Sequence, residues 1–176
     1  MATQLELEAL RFAYQAHEGQ RRKYTGDPYI THPIAVASMV KEAGLPPTVI
    51  AAALLHDVVE DTDERIETIE AIFGPAVANL VAEVTDVSKP EDGNRQKRKQ
   101  IDQNHLAMAS YEGQSIKCAD LIHNTQSIVR YAPEFARVYL KEKGRLLNVL
   151  VDGNTDLYEL AWKTLEEAQC LLDSQK

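Results

Sequence analysis

The stretch VIAAALLHDVVEDTD, Val49 to Asp63, decides how the rest of the chain is read. From Val49 to Val59 only His56 and Asp57 are polar, and pattern alone would allow a buried strand. Length and alanine content favour a helix that is apolar nearly all round, and such a helix belongs at the centre of a core. Pro46 and Pro47 suit its opening turn.

Helices are expected on both sides of it. Leu5, Leu7, Leu10, Phe12, Ala13 and Ala16 lie mostly at helical spacings in a segment that ends at Gly19. A polar loop from Gln20 to Thr31 follows, then Pro33 suits the first turn of a helix running to about Ala43, with Gly44 as its stop. Thr62 or Asp63 is a good N-cap for a helix from Arg65 to Phe73, and Gly74-Pro75 starts another that turns Val77, Leu80, Val81 and Val84 inward. Further helices are expected at 94–110, 114–130, 134–150 and 154–173, punctuated by Gly93, Gly113, Pro133 and Gly153. With no convincing strand, internal repeat or low-complexity linker, the class is an all-α, single-domain helical bundle spanning 1–176.

Composition agrees. The 176 residues carry a net charge of −8, with 44% hydrophobic and 26% charged side chains, which is ordinary globular usage. A fold of this length buries about 70% of the surface its unfolded chain exposes, so it needs no staples. Cys118 and Cys170 are too few for a disulfide framework and form no CxxC pair, which fits a reducing, cytoplasmic setting. No apolar run is long enough to span a membrane, and the start MATQLELEALRF lacks the basic and apolar regions of a signal peptide. The acidic balance argues against binding polymeric nucleic acid. Seven of the 19 Lys and Arg nevertheless cluster, in Arg21, Arg22, Lys23 and in Arg95, Lys97, Arg98, Lys99.

The opening stretch also carries chemistry. Between Lys41 and Arg65 there is no Lys or Arg, yet Asp57, Glu60, Asp61 and Asp63 crowd together after the apolar run. His56 and Glu60 are four residues apart, as are Asp57 and Asp61, so two adjacent stripes of one helix each carry two polar groups. Acids in a last helical turn cost roughly 0.3–1 kcal/mol each, and a bound cation would reverse that sign. The plainer reading is a solvated helix end. A second apolar helix, SIKCADLIHNTQSIV from Ser115 to Val129, carries Asp120 and Asn124 at four-residue spacing. A carboxylate there needs a partner, either Lys117 or a metal. His32, before Pro33, reads alone as a capping or surface residue. Together His32, His56, Asp57 and Asp120 form a mixed imidazole and carboxylate set of the kind that suits Mn, Fe, Co or Zn and leaves open positions for water.

In that order and spacing the residues resemble the HD metal-dependent phosphohydrolase superfamily. The strings RKYTGDPYITHPI (Arg22 to Ile34), ALLHDVVEDTD (Ala53 to Asp63), FGPAVANLVAEVTD (Phe73 to Asp86) and KCADLIHN (Lys117 to Asn124) are similar to the hydrolase domain of RelA/SpoT enzymes, which degrade the alarmones ppGpp and pppGpp. The resemblance runs from about residue 5 to 150. A chain of 176 residues leaves no room for the synthetase of the long enzymes and so resembles the stand-alone small alarmone hydrolases. The resemblance implies an HD-type bundle, His32, His56, Asp57 and Asp120 as ligands of Mn²⁺, and Glu60 with Asp61 as the catalytic pair that orients or deprotonates the attacking water. It implies release of pyrophosphate from the ribose 3′ side, leaving GDP, GTP or the adenine counterparts. Arg22, Lys23 and Asn124 match substrate-binding positions, although RKYTG is one residue longer than the family's RKSG. His123 and Cys118 are read as structural.

A polyanionic substrate needs a basic rim around an acidic centre. Arg22 and Lys23 adjoin the His32 loop, and Tyr139 with Lys143, four apart on the 134–150 helix, are further candidate contacts. Arg95 to Lys99 read as a solvated helix face, with phosphate contact the alternative. Tyr29 reads as loop packing. The function expected is hydrolysis of purine 3′-diphosphate alarmones. NADPH, a 5′-nucleotide or a non-catalytic nucleotide-sensing role are the alternatives, and the base preference and oligomeric state are left open.

Overall fold

Caps and prolines set most helix starts. In the computed structural model, which describes residues 1–174, α1 (Gln4–Ala16) opens on a capping box in which the Thr3 hydroxyl accepts from the Glu6 amide and the Glu6 carboxylate accepts from the Thr3 amide. α2 spans Thr31–Glu42 and α3 Pro47–Leu55; α4 (Val58–Asp61) is short, and α5 (Ile66–Phe73) and α6 (Pro75–Val84) follow. α7 (Arg95–Leu106) is capped by Asn94 and α8 (Tyr111–Tyr131) by Ser110. α9 (Pro133–Leu147) and α10 (Thr155–Ser174) complete the bundle. α3, α6 and α9 each start on proline, where the missing N–H costs nothing. Among the described residues the only β feature is one isolated bridge, Arg21 to Pro28. It closes the loop before α2 into a tight turn in which Gly26 takes a φ of 75°. The last two positions of the expected 1–176 span lie outside the described residues.

α3 and α8 form the centre. Every residue from Val49 to Leu55 is buried, and α3 packs against α1, α2 and α6, while α8 packs against α2, α6, α9 and α10. A leucine or isoleucine buried there contributes about 1.5–3 kcal/mol. No described helix is long and apolar enough to cross a membrane.

Two local expectations are corrected. The helix expected from Val49 to Val59 is interrupted at the HD pair, because the Ala53 carbonyl accepts from the His56 ring Nδ1 at 2.8 Å. That side-chain bond competes with the backbone ladder. Neither Thr62 nor Asp63 caps α5, whose N-cap is Arg65; the Thr62 hydroxyl, just past the end of α4, instead donates back to the carbonyl of Val58, the first residue of α4.

The turn from α9 into α10 docks on α8. The Asp152 amide donates to Gln114 Oε1 at 3.0 Å and the Asn154 amide to Ser115 Oγ at 2.8 Å. Between them Gly153 lies so close that an added Cβ would meet Gln114 C and Ser115 N, both at 3.2 Å. Both are main-chain atoms that cannot swing aside. Gly153→Ala is expected to destabilise the protein by about 1–3 kcal/mol, read as a lower urea midpoint; an unchanged midpoint would show that the turn can shift freely.

Candidate functional site

The break between α3 and α4 places His56 and Asp57 at one end of the core, where α2 brings His32 and α8 brings Asp120. The side chains converge. His32 Nε2 lies 3.2 Å from Asp120 Oδ1 and 3.4 Å from Asp57 Oδ2, and His56 Nε2 lies 3.2 Å from Asp57 Oδ1 and 4.0 Å from Asp120 Oδ1. His32, His56 and Asp57 present ligand atoms within 4.8 Å of one another, a spacing one metal ion can bridge. The four ligand positions expected from the sequence thus lie side by side, Asp120 adjoining that triplet through its contacts with His32 and His56.

The donor set asks for a cation. A carbonyl can only accept, so the Ala53 contact fixes the proton of His56 on Nδ1 and leaves a bare lone pair on Nε2. That Nε2 is buried without a hydrogen-bond partner and faces carboxylate oxygen. A buried lone pair against a carboxylate is repulsive until a positive centre lies between them, so these residues fit a divalent ion of N/O preference. Burial pushes the Asp57 carboxyl up, and only positive charge on the His56 and His32 side, whether imidazolium or a cation taking its place, outweighs it and holds the group below its ordinary value. Asp120 is likewise pushed up by burial and held well below the usual range, chiefly by the Lys117 ammonium.

Around these residues lies a second set that sequence reasoning weighed lightly or missed. Lys117 is buried and its Nζ lies 3.1 Å from Asp120 Oδ2; the carboxylates of Asp120, Glu60 and Asp86 overcome burial and raise its pKa. The i,i+3 spacing to Asp120 signalled this pair, so Asp120 has both the lysine and the metal-type environment that the sequence offered as alternatives. Tyr29 does more than pack: its hydroxyl contacts Asp57 Oδ2 at 2.8 Å and Asp61 Oδ2 at 2.5 Å. No local pattern marks it. His123 contacts His32, Nδ1 to Nδ1, at 2.8 Å, and burial together with His32 and Arg22 holds its pKa down to about 4. Cys118 is buried in α8 and its thiol is pushed up to about 12 by desolvation, which leaves it unreactive.

A cavity of about 690 Å³ opens beside the cluster, lined by Asp57, Glu60, Asp61 and Asp120 and by the cations Arg22, Arg95, Lys99, Lys117 and Lys143. Tyr139 and Asn124 also line it. Glu60 accepts from the Asp86 amide at 3.2 Å; burial and the Asp86 charge push its pKa up against the pull of Lys117. Arg22 does not point freely at the cavity, because its Nη2 donates to Asn124 Oδ1 at 2.6 Å while Asn124 Nδ2 donates to Asp120 Oδ1 at 2.5 Å. Lys23 is exposed, lies over the Tyr24 ring and lines only a neighbouring cavity of about 290 Å³. Of the basic run on α7 only Arg95 and Lys99 line the main cavity. They are anchored by acids, Arg95 bidentate on Glu142 at 2.8 Å and Lys99 on Asp86 at 2.7 Å. Lys143 lies over the Tyr139 ring at 5.3 Å, and burial and Lys117 lower its pKa to about 8.

The comparisons with known proteins agree with this geometry. The HD domain family matches residues 9–145. The chain is 44% identical over 131 residues to the human guanosine-3′,5′-bis(diphosphate) 3′-pyrophosphohydrolase MESH1, covering 73% of this chain and 72% of that protein. It is 38% identical over 167 residues to a probable guanosine-3′,5′-bis(diphosphate) 3′-pyrophosphohydrolase of Synechocystis, covering 90% of this chain but only 22% of that longer protein. Among solved structures it matches the one titled "A metazoan ortholog of SpoT hydrolyzes ppGpp and plays a role in starvation responses", with a TM-score of 0.85 and 31% identity, covering 95% of this chain and 97% of that one.

Proposed function

The chain belongs to the HD domain family, among hydrolases of the MESH1 and SpoT type, and from that premise we propose that it removes the 3′-diphosphate of purine alarmones, (p)ppGpp or (pp)pApp, with Mn²⁺ as its cation. We assign the metal to His32, His56, Asp57 and Asp120, the single domain to 1–176 and the setting to the cytoplasm. The observation that carries the reading is the buried, unpartnered His56 Nε2 facing Asp57, beside a cavity lined by both carboxylates and cations. When bound, a divalent ion lowers the pKa of water and polarises a phosphoryl oxygen.

The chain's own groups supply the rest. Glu60 and Asp61 orient the attacking water and take its proton; the water oxygen bonds to the phosphorus next to the ribose 3′ oxygen, that phosphorus–oxygen bond breaks, and the proton passes on to the 3′ oxygen as pyrophosphate is released. Lys99, Lys117 and Lys143 place positive charge along the cavity against the phosphates, and Arg22, Lys23, Asn124 and Tyr139 hold the nucleoside end.

The direct test incubates metal-stripped and Mn²⁺-loaded protein with ppGpp, pppApp and NADPH and resolves the products by chromatography. Pyrophosphate should appear from an alarmone and only with Mn²⁺. None from either alarmone in the loaded protein would overturn the reading, and phosphate released from NADPH alone would replace it with the NADPH alternative.

Lys143 adds a pH dependence. Its ammonium must be charged to hold a phosphate, so kcat/KM should fall as pH rises through about 8, the value to which burial lowers it. Lys143→Arg, charged at any usable pH, should keep kcat/KM level there; superimposable profiles would remove Lys143 from the substrate site. For stability the sign is opposite: burying the charged amine opposes folding below its folded pKa, and that penalty fades as pH climbs from there to the unfolded value.

A further inference from the structure

The two imidazoles of the cluster are held in different ways. The Nδ1 proton of His56 goes to a main-chain carbonyl, which no substitution removes. His32 has a side chain in that place: its Nδ1 meets Nδ1 of His123 at 2.8 Å, with ring centroids 5.0 Å apart and planes tilted by 32°. Two nitrogens at that distance share one proton, and which of them owns it decides what Nε2 of His32 can do. If His123 donates, His32 carries its proton on Nε2, aimed at Asp120 Oδ1 and Asp57 Oδ2, and cannot ligate. If His123 accepts, the proton stays on Nδ1 of His32 and Nε2 is bare.

We propose that His123 is a positioning residue that accepts the His32 Nδ1 proton and thereby selects the tautomer of His32 able to ligate a divalent cation. The inference rests on the metal centre proposed above. α8 grips both edges of the His32 ring, with Asp120 at Nε2 and His123, one helical turn later, at Nδ1. The usual holder of a ligating histidine is a carboxylate or a carbonyl, which can only accept. A neutral imidazole can serve only with its own proton on Nε2, so the pair must change register together, and replacing His123 removes an acceptor without touching a ligand.

The test measures cation binding rather than turnover. Mn²⁺ titration calorimetry is run on the wild type, on His123→Leu, which fills the space but cannot accept, and on His123→Gln, whose carbonyl can. Loss of this outer contact should weaken Mn²⁺ binding about 10–100-fold in His123→Leu, with Gln recovering most of it. On the wild type loaded with diamagnetic Zn²⁺, long-range ¹⁵N spectra should show His32 protonated at Nδ1 and His123 at Nε2, a readout that needs no variant to fold. A folded His123→Leu with wild-type Mn²⁺ affinity, or a loaded His32 protonated at Nε2, would overturn the assignment. A wild type that binds no divalent ion overturns this assignment and the metal centre together. One that binds Mn²⁺, shows the predicted tautomers, yet releases no pyrophosphate overturns the proposed reaction and upholds His123.

Discussion

Asp120→Ala is expected to abolish divalent-cation binding and to cost about 3–5 kcal/mol of folding stability, the larger effect coming from the partner it leaves behind. One oxygen of Asp120 faces His32 Nε2 at 3.2 Å and the other faces Lys117 Nζ at 3.1 Å. Lys117 is buried in α8, and although Glu60, Asp86 and Asp57 also act on it, its contact ion pair is with Asp120. Removing the carboxylate strands a buried ammonium, whereas removing both charges does not. Asp120→Leu with Lys117→Met should therefore regain most of the stability while remaining unable to bind metal. Urea unfolding with and without Mn²⁺ separates the two losses. The wild type should gain about 2.7 kcal/mol at a hundred times Kd, and neither variant should gain anything. A Mn²⁺-dependent gain in Asp120→Ala would show that Asp120 is no ligand. Recovery failing in the double variant would show that Lys117 is not the cause of the instability.

What could be read from the sequence follows from how far each signal reaches along the chain. Helix starts at Pro47, Pro75 and Pro133 were legible because proline acts on its own turn. Asp57 and Asp61 were legible as neighbours because helical spacing puts them together, and one Tyr29 hydroxyl does reach both. Tyr29 was not legible as their partner, because 28 residues and the fold of the loop before α2 separate it from Asp57. The break at the HD pair escaped for a different reason. His56 takes a helical φ of −59°, and the departure comes one residue later, at Asp57 with φ −94° and ψ −7°, beside the bond from the His56 ring to Ala53. In sequence Arg95 to Lys99 form one basic run, yet a helix gives each residue its own direction, so Arg95 and Lys99, four apart, reach the cavity together. Nothing in the sequence beside Asn124 marks His123 as more than structural, because its contact with His32 spans 91 positions.

Glu60→Gln is expected to lower kcat by about 10²–10⁴-fold while leaving Mn²⁺ affinity near wild type, which separates the proton-transfer role from ligation. The two members of the acidic pair are not equivalent. Asp61 has one oxygen engaged by Tyr29 at 2.5 Å, in a bond shared with Asp57, which suits a group that orients. Glu60 lines the cavity, accepts an amide hydrogen from Asp86, and has its pKa pushed up by desolvation and by Asp86 against the pull of Lys117, the direction that suits a group that takes up a proton. As the base, Glu60 must be ionised, so kcat should fall as pH drops through its raised pKa, and Glu60→Gln should erase that acid limb along with most of the rate. Asp61→Asn should lose less and keep the limb, and Tyr29→Phe should resemble it if Tyr29 acts through Asp61. A Glu60→Gln, Asp61→Asn double variant turning over at the wild-type rate with Mn²⁺ bound would remove the pair from the chemistry. An acid limb that survives Glu60→Gln but vanishes in Asp61→Asn would exchange their roles.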